Sequence, residues 1–190
     1  TSGAVEIAGV PLAERPEDAK RLMGYISDEP HPYDRLTGRE FLMTVAALYG
    51  VDGGERARRV EQELERFNLA AWGDELSESY SHGMKQKLMI ASALVHRPAV
   101  LVADEPMVGL DPASAARLRE LFRSLAAEGR TVLLATHILD IAERLCDRIG
   151  IVSDGRLRAE GTLDELRVRT RLPGGSLEGV FLAVTAPAVS

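Results

Sequence analysis

The sequence predicts an α/β fold: a mostly parallel sheet with helices on both faces, plus a separate helical segment. Three observations predict it. Short β-rich runs, Met23 to Ser27, Val100 to Ala103 and Thr131 to Ala135, alternate with amphipathic helical stretches, an order that builds a parallel sheet between helix layers. Between the first run and the second, residues 28–97 read as mainly helical. The chain has 190 residues, 45% hydrophobic and 27% charged, the size and mix of one globular domain that hides roughly 70% of its unfolded surface.

Elements follow in chain order. Ala4 to Gly9 alternates Val5 and Ile7 against polar or small residues, a short strand ended by Gly9 and Pro11. Pro16 starts a short helix through Arg21. After Met23 to Ser27 comes a loop, Asp28 to Leu36, in which Pro30 and Pro32 forbid regular pairing. Thr37-Gly-Arg-Glu40 is a capping box opening a helix with Phe41, Leu42, Val45 and Leu48 on one face and Gly50 as its stop. A second helix carries Ala57, Val60, Leu64 and Phe67 on one stripe. A third starts near Ser81 and ends before Pro98. Val100 to Ala103 is a buried strand. Asp111-Pro112 starts a helix whose stripe is Leu118, Leu121, Phe122 and Leu125, stopped by Gly129. Thr131 to Ala135 is read as another buried strand and Ile138 to Cys146 as a helix. Arg148 to Ser153 and Arg156 to Gly161 flank an Asp154-Gly155 turn and read as a hairpin. Thr162 caps a short helix, a last helix runs from about Ser176 to Val184, and the tail Ala186 to Ser190 is expected to fray.

Composition narrows the function classes. Lys+Arg 23 against Asp+Glu 29 gives a net charge of −6, which argues against nucleic acid as a partner. One cysteine makes neither an internal disulfide nor a Cys-rich zinc site, as expected of a reducing compartment. The longest apolar runs, such as Ile90 to Val95, fall far short of the ~20 residues that span a bilayer, and no secretory signal is visible. The chain begins with Thr1, so the numbering is expected to start inside a longer protein.

Four motifs carry chemistry. Val100-Leu-Val-Ala-Asp104-Glu105-Pro106 ends a strand in two adjacent carboxylates, at the sheet edge where ligands bind in such folds. One acid there is commonplace as a cap; two suit a magnesium ion and a polarised water. Tyr80-Ser-His-Gly-Met-Lys-Gln-Lys87 opens a helix in which Ser81 caps and Gly83 allows close approach to the backbone. Its free N–H groups favour an anion, although alone it is only a capped helix. Gly109-Leu-Asp-Pro112 and Thr136-His137 complete the set.

In this order the motifs resemble the ATP-binding domain of ABC transporters, along nearly the whole chain. Ser81-His-Gly-Met-Lys-Gln-Lys looks like the family signature, Asp104-Glu105 like the Walker B aspartate and catalytic glutamate, Gly109-Leu-Asp111 like the D-loop, His137 like the switch histidine, and Met23-Gly-Tyr-Ile-Ser-Asp28-Glu-Pro like the Q-loop. Leu36-Thr-Gly-Arg-Glu-Phe, Tyr80 to Lys87 and Ser176-Leu-Glu-Gly-Val-Phe-Leu are most like an export-type subgroup. The resemblance implies a P-loop NTPase (RecA-like) core at 1–27 and 98–190 and a helical signature subdomain at 28–97. It implies ATP and Mg²⁺ as cofactors, a homodimer or heterodimer of ATPase domains, and a transmembrane permease subunit as partner. The expected place is cytoplasmic, peripheral on the inner face of the membrane. Asp104, with Asp28 near it, would hold Mg²⁺, often through water. Glu105 would orient the attacking water and His137 would contact the γ-phosphate. Ser81 and Gly83 would close the site from the opposite protomer, with Asp111 across the seam.

Three departures qualify the resemblance. Asp28 stands where the Q-loop has glutamine, and a carboxylate cannot donate a hydrogen bond unless protonated. His82 and Met84 replace the usual glycine and glutamine of the signature. No G-x-x-x-x-G-K-S/T phosphate loop occurs; family members carry it upstream of the segment that begins at Thr1. The expectation is an ATPase domain without its front end, inactive alone, with open sheet edges and an uncovered apolar face that leave it unstable or self-associating. The rivals are a soluble translation- or DNA-associated ABC-type ATPase and an inactive ABC-like interaction module. A coiled coil of the DNA-associated kind would need sustained heptads between Asp28 and Ser81, and none is present. Cys146 and Trp72 are expected to pack inward, the Arg56/Arg58/Arg59 cluster to be a solvated face, and His31, His82 and His96 to ligate nothing.

Overall fold

The computed structural model describes residues 3–186, in two compact units that divide after Ala135. The first unit opens with an antiparallel pair, β1 (Glu6–Ile7) and β2 (Val10–Pro11). The predicted first strand is therefore a hairpin, turned by Ala8 and Gly9 at φ 48° and 79°, the left-handed pair that a two-residue turn needs. Helix α1 (Pro16–Arg21) and strand β3 (Met23–Ile26) follow as predicted. Helices α2 (Gly38–Leu48), α3 (Gly53–Arg66) and α4 (His82–Leu94) form the helical segment. Strand β4 (Val100–Asp104), helix α5 (Pro112–Ala127) and strand β5 (Thr131–Ala135) complete the unit.

Strands β3, β4 and β5 form one parallel sheet in that order, with Ile26 opposite Ala103 and Asp104 opposite Ala135. The middle strand is β4. The expectation of a buried β5 is corrected: Thr131, Leu133 and Ala135 are exposed, Leu133 by 60%. The run Val-Leu-Leu-Ala is apolar enough for two covered faces, but only alternate residues are shielded here.

Local capping explains the helix boundaries. Thr37 accepts from the Glu40 amide at 3.1 Å while the Glu40 carboxylate accepts from the Thr37 amide at 2.9 Å, the reciprocal pair that satisfies two free donors of the first turn. Phe41, Leu42, Ala46, Val60, Leu64, Leu88 and Ala91 then share one core between α2, α3 and α4. Arg39 ties α2 to Asp74 at 2.8 Å and also pairs with Glu61 of α3. Trp72 is 51% exposed, contrary to expectation. Its carbonyl, rather than its indole, is the structural element: it accepts from the Tyr80 hydroxyl at 2.7 Å.

The second unit contains α6 (Leu139–Leu145), the hairpin β6 (Ile149–Ser153) and β7 (Arg156–Gly161), α7 (Leu163–Thr170) and α8 (Leu177–Thr185). Thr162 caps α7 with a second capping box. Ile149, Ile151, Ala159, Leu166, Leu177 and Val180 make its core, with Cys146 half-buried against them as expected. The expected fraying of the tail beyond Ala186 lies outside the described residues. Among the described residues no helix is long and apolar enough to cross a membrane.

Candidate functional site

Parallel strands in register deliver their C-terminal ends to one edge. Strand β4 ends on Asp104, and Glu105 follows with its amide donating to the Ala135 carbonyl at 3.0 Å. Glu105 has φ 42°. A non-glycine residue in the left-handed region costs about 1–3 kcal/mol, and such residues cluster at functional sites. The Val108 amide donates back to the Glu105 carbonyl at 3.1 Å, closing a turn that holds this conformation. Both acids are half-buried. Asp28 lies beyond the neighbouring strand β3; it is exposed, and its carboxylate accepts from the Glu29 amide at 2.9 Å.

The signature segment is built as a capped helix. Ser81 is the N-cap of α4 and accepts from the Met84 amide at 3.3 Å. The first turn of α4 sits against the loop after β4. A side chain at Gly83 would start 3.6 Å from the Gly109 carbonyl, whereas one at Gly109 would start 2.4 Å from the His82 ring. Gly109 also has φ 78°, so both its conformation and its surroundings call for glycine. His82 is therefore a packing partner of Gly109, which gives a physical role to the residue that replaces a signature glycine.

Asp111 is the N-cap of α5, accepting from the Ser114 amide at 2.9 Å and its hydroxyl at 2.5 Å. That hydroxyl bond, with the amide's, holds the Asp111 carboxyl below the usual carboxylate range. The structure thus brings Asp104, Glu105, Gly109, Asp111, Ser81 and Gly83 into the first unit, with α4 seated on the loop between β4 and α5. His137 is exposed, follows Ala135 by two residues, and opens the second unit.

Two residues that hold this arrangement escaped the sequence reading. Gln86 is fully buried, and its Nε2 donates to the Pro106 carbonyl at 3.3 Å, while Oε1 has no partner. Lys87 stands 4.0 Å from Asp111. The signal for Gln86 was present: it shares a helical face with Ile90 and Leu94, and a polar residue on an apolar stripe needs a buried partner.

As to a metal, no group of three or more His, Cys, Asp or Glu side chains that could hold one occurs among the described residues. Two adjacent carboxylates at a strand end fit Mg²⁺, which keeps several waters and takes one or two carboxylates together with substrate phosphates. They fit it as companions of a nucleotide rather than as a cage.

Comparison with known proteins agrees with this geometry. Residues 1–108 match the ABC transporter family. EcsA of Bacillus subtilis, an ABC-type transporter ATP-binding protein, is 36% identical over 96% of this chain and 74% of its own length. An uncharacterized ABC transporter ATP-binding protein of Nostoc is 39% identical over 84% of this chain and 48% of its own. The chain thus spans from about half to three quarters of these relatives. The solved structure of an ATP-binding subunit of an ABC transporter superposes with a TM-score of 0.91 at 39% identity, covering 97% of this chain and 77% of that one. With the acid pair at the end of β4, the capped signature helix and these likenesses together, the chain belongs to the ABC transporter ATP-binding family and has its ATPase fold.

Proposed function

We propose that the protein is the ATP-binding and ATP-hydrolysing subunit of an ABC transporter that powers export through a separate membrane subunit. The observation that carries the catalytic part is Glu105, held at φ 42° at the end of the middle strand and next to Asp104. In this reading Asp104 holds Mg²⁺ through water, with Asp28 contributing at the neighbouring strand end. The ion and the nucleotide supply charge neutralisation along the phosphates. Glu105 orients or deprotonates the attacking water, and His137 contacts the γ-phosphate. Ser81 and Gly83 close the site of an opposing protomer with Asp111 at the seam, in a homodimer or heterodimer. Residues 28–97 act as the helical signature subdomain, and 1–27 with 98–190 as the core. Export is supported by relatives such as the daunorubicin resistance ATP-binding protein DrrA3 of Streptomyces coeruleorubidus, 38% identical over 89% of this chain and 54% of that protein. A permease partner would place the protein on the cytoplasmic face of the membrane.

The 190 residues alone bind ATP poorly. They hold no G-x-x-x-x-G-K-S/T loop. A helix N-terminus contributes at most ~2 kcal/mol, and micromolar binding needs about 8 kcal/mol. Calorimetry is expected to show no tight Mg-ATP binding to this chain. In a chain supplied with the phosphate loop, hydrolysis is expected, and Glu105→Gln abolishes it while ATP still binds. Hydrolysis by that variant at the parent rate refutes the assignment of Glu105.

A further inference from the structure

We propose that a cavity of about 210 Å³ in the first unit, between the end of α3, helix α4 and helix α5, binds an anionic amphiphile, with a medium-chain carboxylate as its simplest form. Phe67, Ile90, Leu118 and Leu121 line it, so its interior favours an alkyl chain. Its polar contributors include three cations from three separate elements: Arg66, Lys87 and Arg117. Arg66 faces Glu63 at 3.4 Å and Lys87 faces Asp111 at 4.0 Å. Arg117 has only the Ser114 hydroxyl, at 3.5 Å, and no carboxylate partner among the described residues.

An apolar recess bearing an unmatched guanidinium is complementary to a molecule with one negative end and one alkyl end. The volume equals about seven waters at ~30 Å³ each, room for a chain of about eight carbons. A head group on Arg117 would also reach for Lys87, and so compete with Asp111 for it. None of this requires the ATPase reading, because the prediction concerns binding to this chain in the absence of nucleotide.

The test is titration of the 190-residue chain with octanoate, by calorimetry and by thermal shift. Butyrate, octyltrimethylammonium and octyl glucoside serve as comparison ligands. Saturable octanoate binding is expected, weakening by up to about fourfold for each methylene removed and absent for the cationic and neutral heads. Arg117→Glu, at an exposed position, is expected to keep the fold by circular dichroism and to weaken binding at least ~10-fold. Leu121→Trp, at a half-buried position, fills the cavity and is expected to abolish binding. Octanoate affinity weaker than about 1 mM overturns the proposal. So does equal binding of the cationic amphiphile, or parent-like affinity in folded Arg117→Glu.

Discussion

Gly38 offers the sharpest test of how the signature segment is anchored. It is the first residue of α2, and a Cβ there would start 2.3 Å from the Tyr80 hydroxyl and 3.2 Å from the ring carbon that bears it. Tyr80 is buried, and that hydroxyl donates to the Trp72 carbonyl at 2.7 Å. Gly38→Ala therefore forces the ring to move and breaks the bond. Overpacking costs about 1–3 kcal/mol and the broken buried bond about 1–3 kcal/mol. Replacing glycine in a helix returns up to about 1 kcal/mol, which leaves a net destabilisation of about 2–4 kcal/mol. Tyr80→Phe alone costs about 1 kcal/mol. The double variant keeps the milder contact with the ring, loses the bond only once, and should be more stable than the sum of the single effects by about 1–2 kcal/mol. Urea unfolding followed by circular dichroism measures all three. A neutral or stabilising Gly38→Ala, or strict additivity in the double variant, would refute this account of how α2 is locked to the residue before Ser81.

Three more outcomes are expected. His96 stacks on Tyr49 at 3.8 Å with Nε2 3.2 Å from the Met23 carbonyl, and burial lowers its pKa from 6.5 to about 4. The unfolded chain then takes up the proton first, so stability is flat above pH 6.5 and falls as the pH drops from 6.5 toward 4. After allowance for solvent screening the loss is about 2 kcal/mol, and acid titration of His96→Asn against the parent should show that loss removed. Gly109→Ala, at φ 78° and against the His82 ring, should destabilise by about 1–2 kcal/mol from backbone strain; His82→Ala in the same chain should relieve only the steric part, as thermal melts would show. Thr37→Ala removes one arm of the α2 capping box and should cost about 1 kcal/mol, measured by urea unfolding.

The elements that sequence reasoning located best are those fixed by local chemistry. Thr37, Ser81, Asp111, Thr162 and Ser176 all sit at N-caps, each with its side chain accepting a first-turn amide. Such signals span four residues and need no knowledge of the rest of the chain. The acid pair at the end of β4 was legible for the same reason, as an apolar run terminates on Asp104. What escaped depends on what lies across from a residue. Val132 to Ala135 reads as doubly buried from hydropathy, yet Leu133 is largely exposed. Trp72 reads as core from its size, and its backbone is what the fold uses. Gln86 reads as helix filler until Pro106 is found opposite it.

The ties between α4 and the loop after β4 are what make the site more than a collection of motifs. Gln86 reaches Pro106, His82 covers Gly109 and Lys87 faces Asp111. Those three residues span the first two turns of the helix, and their partners are spread over the six residues that lead from the acid pair to α5. A helix held at one point can pivot; one held at three along its length must move with the loop that holds it. The left-handed Glu105 begins that loop, so its strained backbone is over-determined from one side by the Ala135 carbonyl and from the other by a loop clamped to α4. Strain persists only where surrounding contacts impose it. In the proposed mechanism the residue that aims the water is thereby fixed to the helix bearing Ser81 and Gly83, and a displacement of either would be felt by the other.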